Sequence, residues 1–360
     1  MSNIIAQLLL NWYHFHGRKK LPWQKQKTPY VIWISEIMLQ QTQVKTVIPY
    51  FKKFIKKFPT INSITQSSIN EVLHIWSGLG YYKRAQYIYN TAHIIKNNYN
   101  SKIPDNFNSL IKLPGIGRST AGAILSFSYN YYYAILDGNV KRIIYRYYAI
   151  DKNKQIEKKD EKLWNIVYKI IPVHNAGKFN QAIMDLGALI CVRSIPKCNI
   201  CPLKKYCLYY KNDHLKKYSL SNNAYKKRKY IFYFIILQYK YFIFLEQRPQ
   251  NGIWPNLFSF PTFSNKKDIM NWMKKYHIKE NKKNIITPFF HSLTHLELYI
   301  KPIYSTVQYA KKNMLNNNIS IWYNLITSQS IGLPSPIKKI LNITKRFYKD
   351  KYNKRENITQ

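Results

Sequence analysis

All four cysteines of this 360-residue chain fall between residues 191 and 207. They are Cys191, Cys198, Cys201 and Cys207, and their spacing is C-x6-C-x2-C-x5-C. A disulfide framework spreads its cysteines through a small secreted domain, whereas cysteines gathered this closely indicate a metal or iron–sulfur site. The spacing alone suits a structural zinc ion and a [4Fe–4S] cluster about equally well.

The length of the chain predicts two domains, since single domains rarely exceed about 200 residues. From residue 1 to about 190, apolar residues recur at three and four positions, which is typical of helices, with expected breaks at Pro49, Pro59, Pro104 and Pro114. The sequence therefore predicts a mostly α N-terminal domain over residues 1–211.

The C-terminal part has a different pattern, which predicts an α+β domain over residues 229–347. Two β-rich runs flank a turn at Gln238–Lys240 and indicate a hairpin, and a further strand is expected at LELYIKPIY. Ser335-Pro336 is typical of a helix start. The polar, basic segment 212–228 is predicted to be a linker, and residues 348–360 a basic tail.

The charge balance favours a polyanionic partner. Lys and Arg number 57 against 16 Asp and Glu, a formal net charge of +41. Part of this excess reflects a composition rich in Lys, Asn, Ile and Tyr throughout. The longest apolar run, Tyr230–Leu237, is far shorter than the roughly 18 residues that span a bilayer. The first residues lack a basic region and a cleavage site, so we expect a cytoplasmic protein that does not associate with membranes.

Residues 113–125, LPGIGRSTAGAIL, indicate a hairpin between two helices. Gly115 and Gly117 allow a tight turn with exposed backbone N–H groups, and Ser119 and Thr120 open an apolar helix, an arrangement suited to binding phosphate. The alternative is a turn in which glycine serves packing alone.

Five segments together resemble the helix-hairpin-helix DNA glycosylases that include endonuclease III, and among these the adenine-specific MutY-type branch. They are SEIMLQQTQV (35–44), GLGYYKRA (78–85), LPGIGRSTAGAI (113–124), LDGNVKR (136–142) and FNQAIMDLGALIC (179–191). The resemblance implies a helix-hairpin-helix near residues 108–127 and a [4Fe–4S] cluster held by the cysteine loop. It also implies a bacterial, nucleoid-associated monomer that acts on duplex DNA with A·8-oxoguanine or A·G mispairs.

Cleavage of an N-glycosidic bond needs an acid for the leaving base and a carboxylate for the sugar cation. Glu36 lies among apolar neighbours, which predicts a raised pKa, although a solvent-facing glutamate would give the same pattern. Asp137 alone reads as a turn or helix-cap residue. The resemblance implies that Glu36 is the general acid, that Asp137 stabilises the sugar cation, and that Asn139 lies beside that site.

Ser119 separates the branches of this superfamily. Endonuclease III-type enzymes carry a lysine there, whose amine attacks the sugar and leads to strand cleavage. Serine predicts a monofunctional glycosylase, with at most incidental lyase activity from a neighbour such as Lys141. Residues expected to contact DNA are Gln40, Gln41, Tyr81, Gly115, Gly117, Arg118 and Lys141.

In the second domain, EQRPQNGIWPNLFSFP (246–261) resembles the MutT-like domain of the same enzymes. The Glu-rich metal box of pyrophosphohydrolases is missing, so recognition of 8-oxoguanine is the expected role. Where the family has Phe-Ser-His, this chain has Leu293, Thr294 and His295, and the aliphatic Leu293 suggests weaker discrimination against guanine. An ordinary polar loop is the alternative.

Two other functions stay open at this point. An endonuclease III-like glycosylase and lyase acting on oxidised pyrimidines would have the same hairpin and cysteines, but Ser119 and the second domain argue against it. A non-catalytic DNA-binding module would need only the basic charge and the cysteine loop. It would have no use for both Glu36 and Asp137.

Overall fold

The structure, a computed structural model, describes residues 2–150, 159–212, 227–278, 286–308 and 319–356. The chain divides into two compact units. One comprises Met1–Gln66 and Tyr87–Asn223, and the other comprises Ser67–Gln86 and Ala224–Gln360. The predicted linker lies almost wholly outside the described residues.

Helices dominate the N-terminal half of the chain. In chain order they are α1 (Ser2–His16), α2 (Pro29–Leu39), α3 (Val44–Lys57), α4 (Ile61–Thr65), α5 (Ile69–Trp76), α6 (Lys83–Asn98), α7 (Phe107–Leu110), α8 (Arg118–Tyr129), α9 (Gly138–Tyr147), α10 (Lys159–Ile170), α11 (Ala176–Leu189) and α12 (Leu208–Lys211). A buried apolar cluster draws side chains from α1, α9, α10 and α11, among them Leu9, Ile143, Val167 and Phe179. None of the described helices has the length and apolar character needed to cross a membrane.

Pro49 does not break a helix, contrary to the expectation from sequence. It lies within α3, whose buried face is formed by Val47, Phe51 and Phe54. Burial of this apolar face outweighs the roughly 3 kcal/mol that an internal proline costs a helix.

The predicted helix-hairpin-helix is confirmed by α7, α8 and the turn between them. Gly115 has φ +79°, and a Cβ there would lie 2.9 Å from the Tyr87 side chain, so the turn requires glycine. Gly117 is the N-cap of α8 in an extended conformation with φ −90°.

The C-terminal unit contains a seven-stranded sheet. Its strands are β1 (Arg228–Tyr239), β2 (Phe242–Gln247), β3 (Phe258–Ser259), β4 (Thr262–Phe263), β5 (Phe289–Ser292), β6 (Leu296–Thr306) and β7 (Ser320–Asn324). The order is β3-β2-β1-β6-β5, with β4 paired to β1 and β7 to β2. The predicted β1–β2 hairpin is confirmed, and β1 runs parallel to β6 from Arg228↔Leu296 to Gln238↔Thr306.

Helix α13 (Lys266–Lys275) contributes Ile269 and Met273 to a core with the sheet residues Ile235 and Leu237. Helix α14 begins at Ser335, as predicted, and continues to Glu356, beyond the expected start of the tail. Residues 67–86 join this unit through hydrogen bonds such as that from the Leu333 N–H to Ser77 Oγ, 3.0 Å.

Candidate active site

Helix α2 places Glu36 on the wall of a cavity. Thr28 caps the helix by accepting a hydrogen bond from the Val31 N–H, and Pro29 occupies its first turn. Most other side chains of α2 are buried, whereas Glu36 is half-buried and borders a cavity of about 460 Å³. The cavity lies within the size range of small-ligand sites.

Burial, and to a smaller extent the charge of the Asp137 carboxylate, raises the pKa of Glu36 to about 8. The small exposed part of this residue borders the cavity, so bulk water solvates the charged form poorly. Glu36 is therefore protonated at neutral pH and able to donate a proton. This environment differs from the solvent-facing alternative.

Asp137 is the N-cap of α9, as the simpler interpretation of its sequence context predicted. Its Oδ1 accepts hydrogen bonds from the Asn139 and Val140 N–H groups at 3.0 and 2.8 Å. Burial raises the pKa of Asp137, whereas these hydrogen bonds and the charge of Arg142 lower it. The donors favour the carboxylate form despite burial.

Asn139 connects Asp137 to an arginine. Its Nδ2 donates to Asp137 Oδ2 at 3.0 Å, and its Oδ1 accepts from Arg142 Nη2 at 2.8 Å. Arg142 also donates to the Gly187 carbonyl at 2.6 Å and to the Cys191 carbonyl at 2.7 Å. A continuous chain of hydrogen bonds thus runs from the candidate carboxylate to the first cysteine of the loop.

Ser119 and Lys141 have other partners. Ser119 Oγ accepts a hydrogen bond from the Leu136 N–H at 3.1 Å, directly beside Asp137. The Nζ of Lys141 pairs with Asp160 at 2.8 Å in an exposed ion pair. The first contact supports the loop before α9, and the second holds the amine that we expected near the sugar.

Two glutamines border the cavity with amide groups whose orientation the structure defines. Gln181 Nε2 donates to Asp185 Oδ1 at 3.0 Å, and Asp185, fully buried, is held by the backbone N–H and guanidinium of Arg18. The carbonyl oxygen of Gln181 is then the atom offered to a ligand. The buried Nε2 of Gln24 has no hydrogen-bond partner, although its Oε1 accepts from the Leu21 N–H.

Gln40 and Gln41 follow α2 but differ in their contacts. Gln40 Nε2 donates to the Gly115 carbonyl at 3.2 Å and joins the end of α2 to the hairpin turn. Gln41 is exposed and has a left-handed backbone, φ 55°. Only Gln41 thus presents its side chain directly to solvent.

Tyr81 lies in a loop with several left-handed residues, including Gly80 at φ +80° and Tyr81 itself at φ 48°. It is 41% exposed, whereas Tyr82 is buried, so of the two only Tyr81 has a largely accessible ring. Arg84 is buried between the Trp76 and Tyr81 rings, 5.2 and 5.4 Å from their centroids, and donates to the Gly80 carbonyl. Burial lowers the pKa of Arg84 to about 10, so it remains a cation.

Leu293, Thr294 and His295 form the tip between β5 and β6. The Leu293 N–H donates to the Leu296 carbonyl at 2.8 Å and closes the turn. Thr294 and His295 are exposed, and Thr294 Oγ1 lies 2.6 Å from the Tyr81 hydroxyl. Two residues expected from sequence to contact the same base are therefore hydrogen-bonded to each other.

At the hairpin, a Cβ on Gly117 would meet no atom within 4 Å. Arg118, next to it, is exposed and its guanidinium lies 4.1 Å from the Trp164 ring centroid. Gly117 therefore has open space in front of it, whereas Arg118 rests on an aromatic surface.

The four cysteines are half-buried thiols that lie close enough together for the charge of one to affect the pKa of another. Burial raises the pKa of Cys201 to about 11, and Arg146 Nη1 lies 3.3 Å from Cys191 Sγ. In the described part of the chain no three His, Cys, Asp or Glu side chains are close enough to bind one metal ion. Four thiols are a suitable ligand set both for a structural zinc ion and for a [4Fe–4S] cluster.

Sequence reasoning did not single out Arg142, Asp185 or Gln181. Asp185 has the same sequence signal as Glu36, because it is one of 16 acidic residues and lies in an apolar helix. Arg142 lies within the quoted segment LDGNVKR, but no local pattern shows that its partners are 45 and 49 residues away.

Comparison with known proteins defines the class. Residues 34–169 match the HhH-GPD superfamily of base excision DNA repair proteins, and residues 232–342 match the NUDIX domain family. A thermostable thymine-DNA glycosylase superposes with a TM-score of 0.54 at 28% identity, covering 58% of this chain and 95% of that one. Endonuclease III bound to DNA superposes at 0.51 with 21% identity, covering 57% and 94%, and shares the fold.

The full-length relatives are more specific. The adenine DNA glycosylase of Buchnera aphidicola subsp. Baizongia pistaciae is 52% identical over 351 residues, covering 96% of this chain and 97% of that protein. The human adenine DNA glycosylase is 36% identical over 208 residues, covering 55% of this chain and 38% of that protein. The chain belongs to the adenine DNA glycosylases, enzymes of base excision repair.

Proposed function

We propose that this enzyme hydrolyses the glycosidic bond of adenine paired with 8-oxoguanine or guanine in duplex DNA, and leaves the strand intact. The observation that carries the proposal is Glu36 on the wall of a cavity, with a pKa that burial raises to about 8, and close enough to Asp137 for its charge to act on Glu36. The two carboxyl groups have different environments, since Asp137 accepts hydrogen bonds from the start of α9, and N-glycoside hydrolysis uses two such carboxyl groups.

In this mechanism the flipped adenine enters the cavity and Glu36 protonates a ring nitrogen of the leaving base. A pKa of about 8 keeps the acid protonated at neutral pH while leaving it strong enough to donate. The carbonyl oxygen of Gln181 accepts from the exocyclic amino group, because its amide nitrogen is bound to Asp185.

Loss of the base leaves positive charge on the sugar, which Asp137 stabilises. The N-terminal N–H groups of α9 and Asn139 hold this carboxylate in its charged form. After departure of adenine, Glu36 is the base that handles the attacking water.

The hydrolytic, monofunctional outcome rests on the absence of a suitable amine at position 119. Ser119 Oγ is bound to the Leu136 N–H, and Lys141 is paired with Asp160. Neither the Ser119 hydroxyl nor the ion-paired Lys141 amine is therefore available as a neutral amine nucleophile that attacks the sugar. A lyase on oxidised pyrimidines is therefore the less favoured alternative.

Recognition of the opposite base is assigned to Tyr81 with Leu293, Thr294 and His295. The 2.6 Å contact between the Tyr81 and Thr294 hydroxyls supports a shared site, and Tyr81 is exposed enough to stack on a base. The aliphatic Leu293 supports only modest preference for 8-oxoguanine over guanine.

The cofactor is proposed to be a [4Fe–4S] cluster held by Cys191, Cys198, Cys201 and Cys207. The cluster would serve as a rigid support for the loop that carries Arg193, Lys197, Lys204 and Lys205 towards phosphates. The thiols would have to lose their protons to hold the cluster, because burial raises the pKa of Cys201 and Cys207. The enzyme is proposed to act as a monomer.

The test is single-turnover adenine release from a duplex with one A·8-oxoguanine pair, compared with A·G and 8-oxoguanine·C duplexes. We expect release from the first two, loss of release in Glu36→Gln, and intact strands until alkali is added. Strand cleavage during turnover that Lys141→Ala abolishes would contradict the monofunctional mechanism. Release by Glu36→Gln at the wild-type rate would contradict the role of the acid.

A further inference from the structure

One face of the C-terminal sheet is only partly covered by the residues that the structure describes. Helix α13 packs over the end that carries Ile235 and Ile303. At the other end the cross-strand row Ile231, Tyr299 and Phe290 joins β1, β6 and β5 on the same face. Ile231 is 45% exposed and Phe290 65% exposed. We call this row the aromatic row.

The aromatic row is preorganised for stacking. The Phe290 and Tyr299 rings lie 4.7 Å apart at an interplanar angle of 30°, so each limits the motion of the other. Phe290 is 65% exposed, so part of its ring is open to solvent. An exposed aromatic ring held in place by a neighbouring ring suits stacking by another flat ring.

Cations border the row on both sides. The Nζ of Lys301 lies 5.2 Å from the Tyr299 ring centroid, and Lys229, 79% exposed at its side chain, precedes Ile231 by two residues on the same face. The acidic residue next to Lys229 is Glu297, and the atoms of the pair are 3.9 Å apart. Lysines on either side of an aromatic platform match a chain of alternating phosphates and bases.

The geometry points to a binding site for single-stranded DNA on the aromatic row, separate from the site that reads the opposite base at the Leu293–His295 tip. A paired base hides its faces in the duplex stack, so only an unpaired nucleotide exposes the surface that Phe290 requires. The site would hold the enzyme at duplexes that adjoin single-stranded DNA.

The experiment measures what a single-stranded tail adds to duplex affinity of the full chain. Anisotropy titrations compare a plain blunt duplex with the same duplex carrying a thymidine tail, at the 5′ or the 3′ end, and with a tail of abasic residues of equal length. We expect a thymidine tail on one strand end to tighten binding about fivefold or more over the abasic tail. Phe290→Leu should remove this gain and Phe290→Tyr should retain it.

Met270→Ala serves as the matched control, because Met270 is apolar, 71% exposed and outside the row. A gain that persists in Phe290→Leu, or equal gains from thymidine and abasic tails, would overturn the inference. So would a concentration-dependent dimer lost in Phe290→Leu, which would make the row an interface between copies of the chain. Blunt-duplex adenine release is measured in parallel, so failure of this site is distinguishable from failure of the proposed function.

Discussion

At the scale of single residues, the environment that raises the pKa of Glu36 also affects the free energy of unfolding. Its pKa is raised to about 8 from 4.5, so the folded state binds more protons than the unfolded state between these values. The contribution of protonated Glu36 to the free energy of unfolding is fully present below pH 4.5 and is lost as the pH rises through 8. The same burial that makes Glu36 an acid therefore weakens the fold at high pH.

Glu36→Gln is accordingly expected to stabilise the protein while abolishing adenine release. The gain in free energy of unfolding should be near zero at pH 4 and grow to about 2–4 kcal/mol by pH 8. Urea unfolding across this pH range measures it. If Glu36→Gln raised the free energy of unfolding equally at all pH values, the pKa of Glu36 would not be raised in the folded state.

The rate of adenine release should report the same group. Because Glu36 must be protonated, we expect the single-turnover rate constant to fall as pH rises through about 8, approaching tenfold per pH unit beyond it. Asp137 must be ionised, and burial raises its pKa, so the rate should also fall at low pH. A rate that stays level up to pH 10 would exclude Glu36 as the proton donor.

Gly115 and Gly117 should respond differently to alanine. In Gly115→Ala the new Cβ would clash with the Tyr87 side chain, and alanine would have to adopt a positive φ. We therefore expect destabilisation of about 1–3 kcal/mol. Gly117→Ala faces open space and an ordinary φ, so the thermal midpoint should barely change. A weaker affinity for duplex DNA in Gly117→Ala, measured by anisotropy, would then show that its open space is occupied by a phosphate.

The cap position of Asp137 was predictable from sequence because an aspartate before a helix start is a local signal, and the apolar neighbours of Glu36 predicted its raised pKa. The long-range polar contacts near these residues were not predictable. Arg142 and Asp185 act through residues distant in sequence, which local periodicity does not encode.

At the scale of elements, α9 depends on the guanidinium of Arg142, which joins Asn139 to the Gly187 and Cys191 carbonyls. Arg142→Met leaves these acceptors without their donor, so we expect a loss of about 2–3 kcal/mol in unfolding free energy and slower adenine release. Thermal and urea unfolding, with single-turnover kinetics, measure both.

Lys141→Met is the matched control for this element, since Lys141 is adjacent in sequence and its partner Asp160 is exposed. We expect less than about 0.5 kcal/mol of destabilisation from losing that ion pair. Comparable losses in the two variants would mean that the Arg142 contacts contribute no more than surface charge.

Among the elements, the hairpin α7–α8 and the β1–β2 turn were predictable because their turn residues lie within a few positions of each other. The membership of residues 67–86 in the C-terminal unit was not, since it depends on contacts such as Ser77 with Leu333 across more than 250 residues. Pro49 shows that the apolar face of a helix outweighs a local helix breaker.

At the scale of the whole molecule, the net charge of +41 sets how the enzyme meets DNA before any base is read. Each phosphate neutralised by Lys or Arg releases counterions, whatever the sequence. With six or more phosphate contacts, raising salt from 50 to 200 mM should weaken duplex binding about a thousandfold. The ratio of affinities for A·8-oxoguanine and A·T duplexes should change much less, because the base recognition that we propose for Tyr81 and Thr294 would release no ions.

Titrations of both duplexes at several salt concentrations test this directly. One outcome is a steep dependence of affinity on salt that is the same for both duplexes, with a constant ratio of their affinities. It would show that the lysine-rich surface supplies affinity and that the Tyr81–Thr294 region supplies specificity. A shallow slope would mean that most of the 57 basic residues lie away from DNA and follow from the general composition of the chain, rich in Lys, Asn, Ile and Tyr. In that case the cysteine loop and the hairpin would carry the phosphate contacts alone.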